Sequence, residues 1–322
     1  MKFILQILFL LLIIIPIDGE AMPHLILNFD INKTLIASDK VGNKTVEDVI
    51  NELLAEKYIA LWDPTLLEEM SFDDYINKIM IPGPKNDSEL RRQRKCYLQH
   101  FLDYLRENNS PLYELAFSDY EIALKVLAAS QGDIFPSFYR LIEKLNEQQI
   151  SYSIILRSFG LELFDVKQEI NSFHEGLIGR TAEFQKGKLY LDSGKVIEEG
   201  HEIYCTLRSI GHIAIHDDWN HWNSNGLAVH QSKPFYVDRE DFETLSIFFD
   251  DNIDEADSIN NIISPIDANT NEAIPIVEVV ESGLAVHVDT LEAILNNNYF
   301  IDRVEEAVEK ANSRRLLIRE SL

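Results

Sequence analysis

The feature that most constrains this chain is an apolar run that stops abruptly in a carboxylate: Leu25-Ile26-Leu27-Asn28-Phe29-Asp30-Ile31-Asn32-Lys33-Thr34-Leu35-Ile36. A short apolar run bounded by polar residues reads as a buried strand of a parallel sheet, which needs helices on both faces. Residues just past the carboxyl end of such a strand face the crevice where open α/β sheets bind ligands. Asp30 is therefore placed to act as a nucleophile or a metal ligand, and the backbone carbonyl of Asn32 can add an oxygen to a Mg2+ shell.

With 322 residues, 46% of them hydrophobic, the chain can build one large α/β domain with an elaborate insertion, or two domains. Its net charge of -25 repels phosphate backbones, which argues against nucleic acid as a partner. A small phosphorylated substrate must then be drawn in by a local cation or by Mg2+, not by the general field. Residues 1–21 hold one lysine, an apolar run from Phe3 to Ile17 and small residues at Gly19 and Ala21, the pattern of a secretory signal peptide. The run is short for a membrane span, so a membrane association is expected only through an uncleaved leader. The alternative is a start at Met22 and a cytoplasmic protein. Sequons at Asn32, Asn43, Asn86 and Asn108 sharpen that choice, because a glycan on Asn32 would block the Asp30 loop. Two cysteines, Cys96 and Cys205, leave one disulfide open without requiring it.

Between Ile36 and about Gly132 little reads as strand. Thr45-Val46-Glu47-Asp48 has the form of a capping box, with apolar residues at helical spacing up to about Leu61. A second helix opens at Ser71 and runs to about Met80, and Ile81-Pro82-Gly83-Pro84 breaks the chain. A long helix is expected from Asp87 to Glu107 and another from Ser110-Pro111 to about Ala129. Residues 38–130 thus read as an all-helical cap inserted after the first strand. The cluster Arg91, Arg92, Arg94 and Lys95 either lines that cap above a phosphate or forms a solvated face paired with neighbouring acids.

Phe135 to Gln149 is an amphipathic helix leading into Ile150-Ser151-Tyr152-Ser153-Ile154-Ile155-Leu156-Arg157-Ser158-Phe159-Gly160, the helix-to-strand half of a βαβ unit. Another helix is expected from Leu161 to His174, then a small β excursion with turns at Lys186-Gly187 and Ser193-Gly194, then a helix from His201 to Ser209. Two apolar strands each end in paired carboxylates, at Asp217-Asp218 and at Asp250-Asp251. The first pair, with His216, His221, Trp219 and Trp222 around it, is either a metal or substrate site or a loop with Trp anchors and a helix-capping Asp. The second pair follows Lys233-Pro234 at a distance that lets both reach one strand end, and it is the preferred metal pair. Ile262, Ile263 and the run Leu284 to Val288 are expected as late sheet elements, with helices to the end of the chain.

The spacing Asp30-x-Asn32-x-Thr34 resembles the first motif of the haloacid-dehalogenase-like (HAD) superfamily, usually Asp-x-Asp-x-Thr. Ser158 at a strand end, Lys233, and the pair Asp250-Asp251 resemble its later motifs in the same order. The resemblance implies a Rossmann-like three-layer α/β core with a parallel sheet, over residues 22–37 and 131–300, with the cap at 38–130 and a C-terminal helix at 300–322. It also implies that Asp30 attacks phosphorus to form an aspartyl-phosphate, with Mg2+ held by Asp30, the Asn32 carbonyl, Asp250 and Asp251. Ser158 and Lys233 would hold phosphoryl oxygens, Thr34 would face the substrate, and Arg157 is a second candidate phosphate contact. Asn32 departs from the pattern, since an amide can neither protonate a leaving group nor activate water, and His216, His221 or a residue of the cap is a candidate replacement. The chain is thus expected to be a Mg2+-dependent phosphohydrolase; the alternative is a catalytically weakened HAD fold that binds a ligand or protein through its cap.

Overall fold

The computed structural model describes residues 22–37, 44–84, 87–130, 132–254 and 261–320. The leader at 1–21 and the sequons at Asn43 and Asn86 lie outside the described residues. In chain order the strands are β1 His24–Asp30, β2 Ile59–Ala60, β3 Met70–Ser71, β4 Tyr152–Ser158, β5 Arg180–Gln185 and β6 Lys188–Leu191. Then come β7 Val196–Ile197, β8 Ile213–His216, β9 Lys233–Val237, β10 Thr244–Asp250, β11 Ile263–Asp267 and β12 Ala285–His287. Eight of them form one sheet in the order β12-β10-β1-β4-β8-β5-β6-β7. It is parallel from β12 to β5 and turns antiparallel at the β5-β6-β7 edge. The protein is a three-layer α/β fold, as the apolar runs predict.

β1 lies at the centre, and alternate side chains leave it on opposite faces. Leu25, Leu27 and Phe29 enter one core, beneath helices Pro136–Glu147 and Tyr299–Glu320, and Ile26 enters a second, beneath helix Gly200–Ile210. Phe29 stacks on Phe249 of β10 with ring centroids 4.7 Å apart and meets Phe138 and Phe300 edge-on. Helix Pro136–Glu147 begins at a proline, whose fixed φ suits a first turn, and buries Phe138, Leu141, Ile142 and Leu145 on one side. From β1 the chain steps to β4 and β8 on one side, then to β10 and β12 on the other. That reversal opens a crevice at the carboxyl ends of β1 and β10, where Phe29 pairs with Phe249 and Asp30 and Asp250 follow side by side.

The insertion is helical in the main, with two departures from expectation. Helix Val46–Lys57 carries the capping box, with Thr45 and Asp48 each bonding the other's backbone N–H. The single helix expected over 87–107 is two, Ser88–Gln99 and Phe101–Glu107, broken at His100 with φ -112 and ψ 29. The side chain of Asn51, from helix Val46–Lys57, accepts from Leu102 N and so satisfies the start of a fresh helix. The insertion also holds a short antiparallel ladder of β2 and β3. Its core is continuous with that of the sheet, because Val49, Ile50, Phe72 and Phe101 share one core cluster with Phe29, Ile134 and Leu291.

Elsewhere the expected turn at Lys186-Gly187 is present, with φ of 52° and 80° as a tight hairpin requires. Its strands extend the main sheet at its edge. Ile263 is not in the main sheet, since β11 pairs with β9 as a separate two-stranded unit that carries Lys233. Both cysteines are free and exposed.

Candidate active site

Asp30, Asp250 and Asp251 come together at the crevice, each offering a carboxylate oxygen within 4.8 Å of the others. The sheet register sets Asp30 and Asp250, and the turn after β10 adds Asp251. Two local devices hold that turn. Asn252 donates its backbone N–H to Asp250 Oδ1 at 2.9 Å and its amide to Asp251 Oδ1 at 2.7 Å. Across the crevice, Thr34 Oγ1 accepts from Asp251 N at 3.2 Å.

Lys233, at the head of β9, is the cation of the cluster. Its Nζ donates to Asp30 Oδ1 at 2.5 Å and to Asp250 Oδ2 at 2.7 Å, and the side chain is buried. Its ammonium also lies 5.2 Å from the ring centre of Phe159. Burial works against the charge of Lys233, but Asp250 and Asp30 outweigh it and hold its pKa above the ordinary lysine value. One ammonium cannot neutralise three carboxylates. Burial, with Asp250 nearby, pushes Asp30 up to about 7 despite the opposing pull of Lys233. Asp251 is pushed well up by the same loss of hydration and by the charges of Asp250 and Asp30.

A second group adjoins this cluster. Glu162 Oε1, on the first turn of helix Glu162–Phe173, accepts from Ser158 Oγ at 2.6 Å and from Asn32 Nδ2 at 3.0 Å. Ser158 Oγ in turn accepts from Gly160 N at 2.9 Å. Asn32 Oδ1 is buried with no hydrogen-bond partner among the described residues. Sequence reasoning missed Glu162. Its signal was present, because a Glu four residues past a strand-ending Ser opens the next helix, with a glycine between whose missing Cβ leaves room for the carboxylate.

Of the residues expected at the site, Asp30, Lys233, Asp250 and Asp251 converge, and Asn32 and Ser158 are joined beside them through Glu162. Two expectations are corrected. Arg157 is 1% exposed and fully engaged, with its guanidinium on both oxygens of Asp217 at 2.5 and 3.0 Å and on the Pro234 carbonyl at 3.0 Å. As the neighbour of Ser158 on a strand it points to the opposite face, toward Phe184 and Phe248, so it is no phosphate contact. Thr34 is wholly buried and tethers the Asp251 turn; it does not face a substrate.

The other carboxylate pair takes its bland role. Asp217 pairs with Arg157, and Asp218 caps helix Trp219–Ser224 by accepting from His221 N. The His221 ring meets Gln231 and Asn225, and His216 lines a separate cleft of about 430 Å³ with Leu161 and Tyr190. Neither ring is hydrogen-bonded to the acidic cluster.

Open space leads away from Asp251. A cleft of about 450 Å³ is lined by Lys33, Glu56, Asp251 and His287. Lys33 and Glu56 also line a larger one of about 950 Å³, which runs under Arg91 and Lys95 of the insertion. Of the basic cluster, Arg92 pairs with Glu89 in solvent, and Arg94 is buried and donates to the carbonyls of Ile81, Gly83 and Pro84. The comparisons with protein-family models, with curated proteins and with solved structures found no match to this chain.

Proposed function

We propose that this protein is a HAD-like, Mg2+-dependent phosphohydrolase that acts through an aspartyl-phosphate on a small phosphorylated molecule. The observation that carries this reading is Lys233 held between Asp30 and Asp250 with Asp251 beside them. That set combines a nucleophilic carboxylate, a fixed cation and an uncompensated surplus of hard oxygen donors. Three carboxylates against one ammonium suit a divalent cation, and Asp30, Asp250 and Asp251 would hold it, with the Asn32 carbonyl as a further donor. Bound there, Mg2+ would neutralise charge on the phosphoryl oxygens and keep Asp30 ionised.

The chain's own groups then do the following. An oxygen of Asp30 bonds to phosphorus as the bond from phosphorus to the leaving oxygen breaks. Lys233 stabilises the negative charge that Asp30 and the phosphoryl group share. Water hydrolyses the acyl phosphate and restores the carboxylate. Asn32 moves no proton, and a positioned acid or base typically contributes roughly 10²–10⁴-fold. Aryl and acyl phosphates, whose leaving groups need no proton, are therefore the better substrates.

One observation favours a second reading, a weakened fold that binds through its insertion. Ser158 O–H and one N–H of the Asn32 amide point at Glu162, so in this structure the Ser158 hydroxyl is not offered to a phosphoryl oxygen. Turnover of an aryl phosphate and of acetyl phosphate, with and without Mg2+, beside Asp30→Asn, separates the two. Turnover that needs both Mg2+ and Asp30 supports the enzyme; none in any condition supports the binding module.

A further inference from the structure

Glu162 is only 5% exposed, and among the described residues no lysine or arginine forms an ion pair with it. Its compensation is the pair of donors on Oε1, Ser158 Oγ at 2.6 Å and Asn32 Nδ2 at 3.0 Å. Room for the carboxylate exists because residue 160 is glycine; a Cβ there would stand 2.1 Å from Glu162 Oε2. The carboxylate also decides how Asn32 is turned. An amide has one donating and one accepting end, and a carboxylate tolerates only the donating end. With Nδ2 fixed on Glu162, Oδ1 faces away from it and finds no partner among the described residues, although it is buried. A buried acceptor without a partner is rare in folded proteins and asks for a donor from outside the chain.

We propose that Glu162 is a positioning residue of the Asp30 site, which locks the Asn32 amide so that Oδ1 accepts from a water or hydroxyl supplied with the substrate. The ligand feature implied is therefore an O–H donor next to the group that Asp30 attacks. Residues 32 and 162 form one unit, and this explains the amide at position 32. An Asp there would set two carboxylates in contact across the 3.0 Å now spanned by the Asn32–Glu162 bond. The positioning role rests on the phosphohydrolase reading; the Asn32–Glu162 coupling does not.

The test is a double-mutant cycle in the full chain: Asn32→Asp, Glu162→Gln and the two together, each read by Tm and by kcat and KM on an aryl phosphate. Asn32→Asp should lower Tm by several degrees, on the order of 4 °C. The double exchange should recover most of that loss, because the amide introduced at position 162 can donate to the carboxylate introduced at position 32. Glu162→Gln alone keeps an oxygen that accepts from both Ser158 and Asn32, so its Tm, KM and kcat should stay close to wild type, whereas Glu162→Ala removes that acceptor and should lower kcat about tenfold, with KM little changed, as Asn32 loses its fixed orientation. Additive losses of Tm would overturn the coupling, and wild-type kcat in Glu162→Ala, or an equal loss of kcat in Glu162→Gln and Glu162→Ala, would overturn the positioning role. A wild-type chain with no turnover would remove the phosphohydrolase reading and the positioning role together, leaving the Tm cycle to judge the pair alone.

Discussion

Two buried ion systems lie at the carboxyl end of the sheet, and they differ in balance. Arg157 and Asp217 are one cation and one anion in bidentate contact, both 1% exposed at the side chain, with a further N–H on the Pro234 carbonyl. Lys233 serves Asp30 and Asp250 at once, and Asp251 adds a third carboxylate that it cannot satisfy. The first system is complete within the protein. The second sets three carboxylates against one contacting ammonium, with Lys33 as the further cation near Asp251. Arg157 bonds the carbonyl of the residue after Lys233, so the closed pair holds in place the strand that delivers the open one. Burial alone does not mark function here; unmatched charge does.

This contrast is open to attack by substitution, and the largest effect belongs to the closed pair. Asp217→Asn or Arg157→Met should cost about 3–5 kcal/mol in denaturant unfolding, because each strands a buried charge. A loss within error of zero would mean the pair is not the clamp described. Asp30→Asn should have the opposite sign. At pH 8 without divalent cations it should raise stability by on the order of 1 kcal/mol, since the neutral amide relieves a carboxylate whose ionisation the fold resists. Two Asp→Asn changes, at the ends of β1 and β8 on either side of β4, would then move stability in opposite directions.

The pH dependence follows from the same imbalance. The folded-state pKa of Asp30 is raised from 3.8 to about 7, so the native state holds a proton there that the unfolded chain releases. That contribution to stability is full below about pH 3.8 and is lost as pH rises through about 7. Mg2+ should therefore raise Tm more at pH 8 than at pH 5, and equal shifts at the two pH values would contradict the assignment. The smallest effect is expected at Thr34→Val, which removes the acceptor for Asp251 N at 3.2 Å. It should cost about 1 kcal/mol and weaken cation binding through the Asp251 turn.

Much of this was legible in the residues themselves. Apolar runs that stop in Asp30, Ser158 and Asp250 announced central strands, and the carboxylates after two of them announced the cluster, because a parallel strand shows its chemistry where it ends. Arg157 was misjudged although alternation along a strand puts it on the other face from Ser158. The break at His100 was hidden for a different reason: its cause is Asn51, on another helix, and no window around residue 100 contains it. Glu162 and the separate β9–β11 pair likewise depend on contacts that close only in three dimensions. Local pattern gave the strand ends; long-range packing decided which side chains were already taken.

The most direct test of the central claim is a calorimetric titration of the full chain with Mg2+ at pH 8, beside Asp250→Asn. If the acidic cluster is open by one cation, wild type binds one Mg2+ per chain and the variant binds it far more weakly. No binding in wild type, or binding that Asp250→Asn leaves unchanged, would contradict the account.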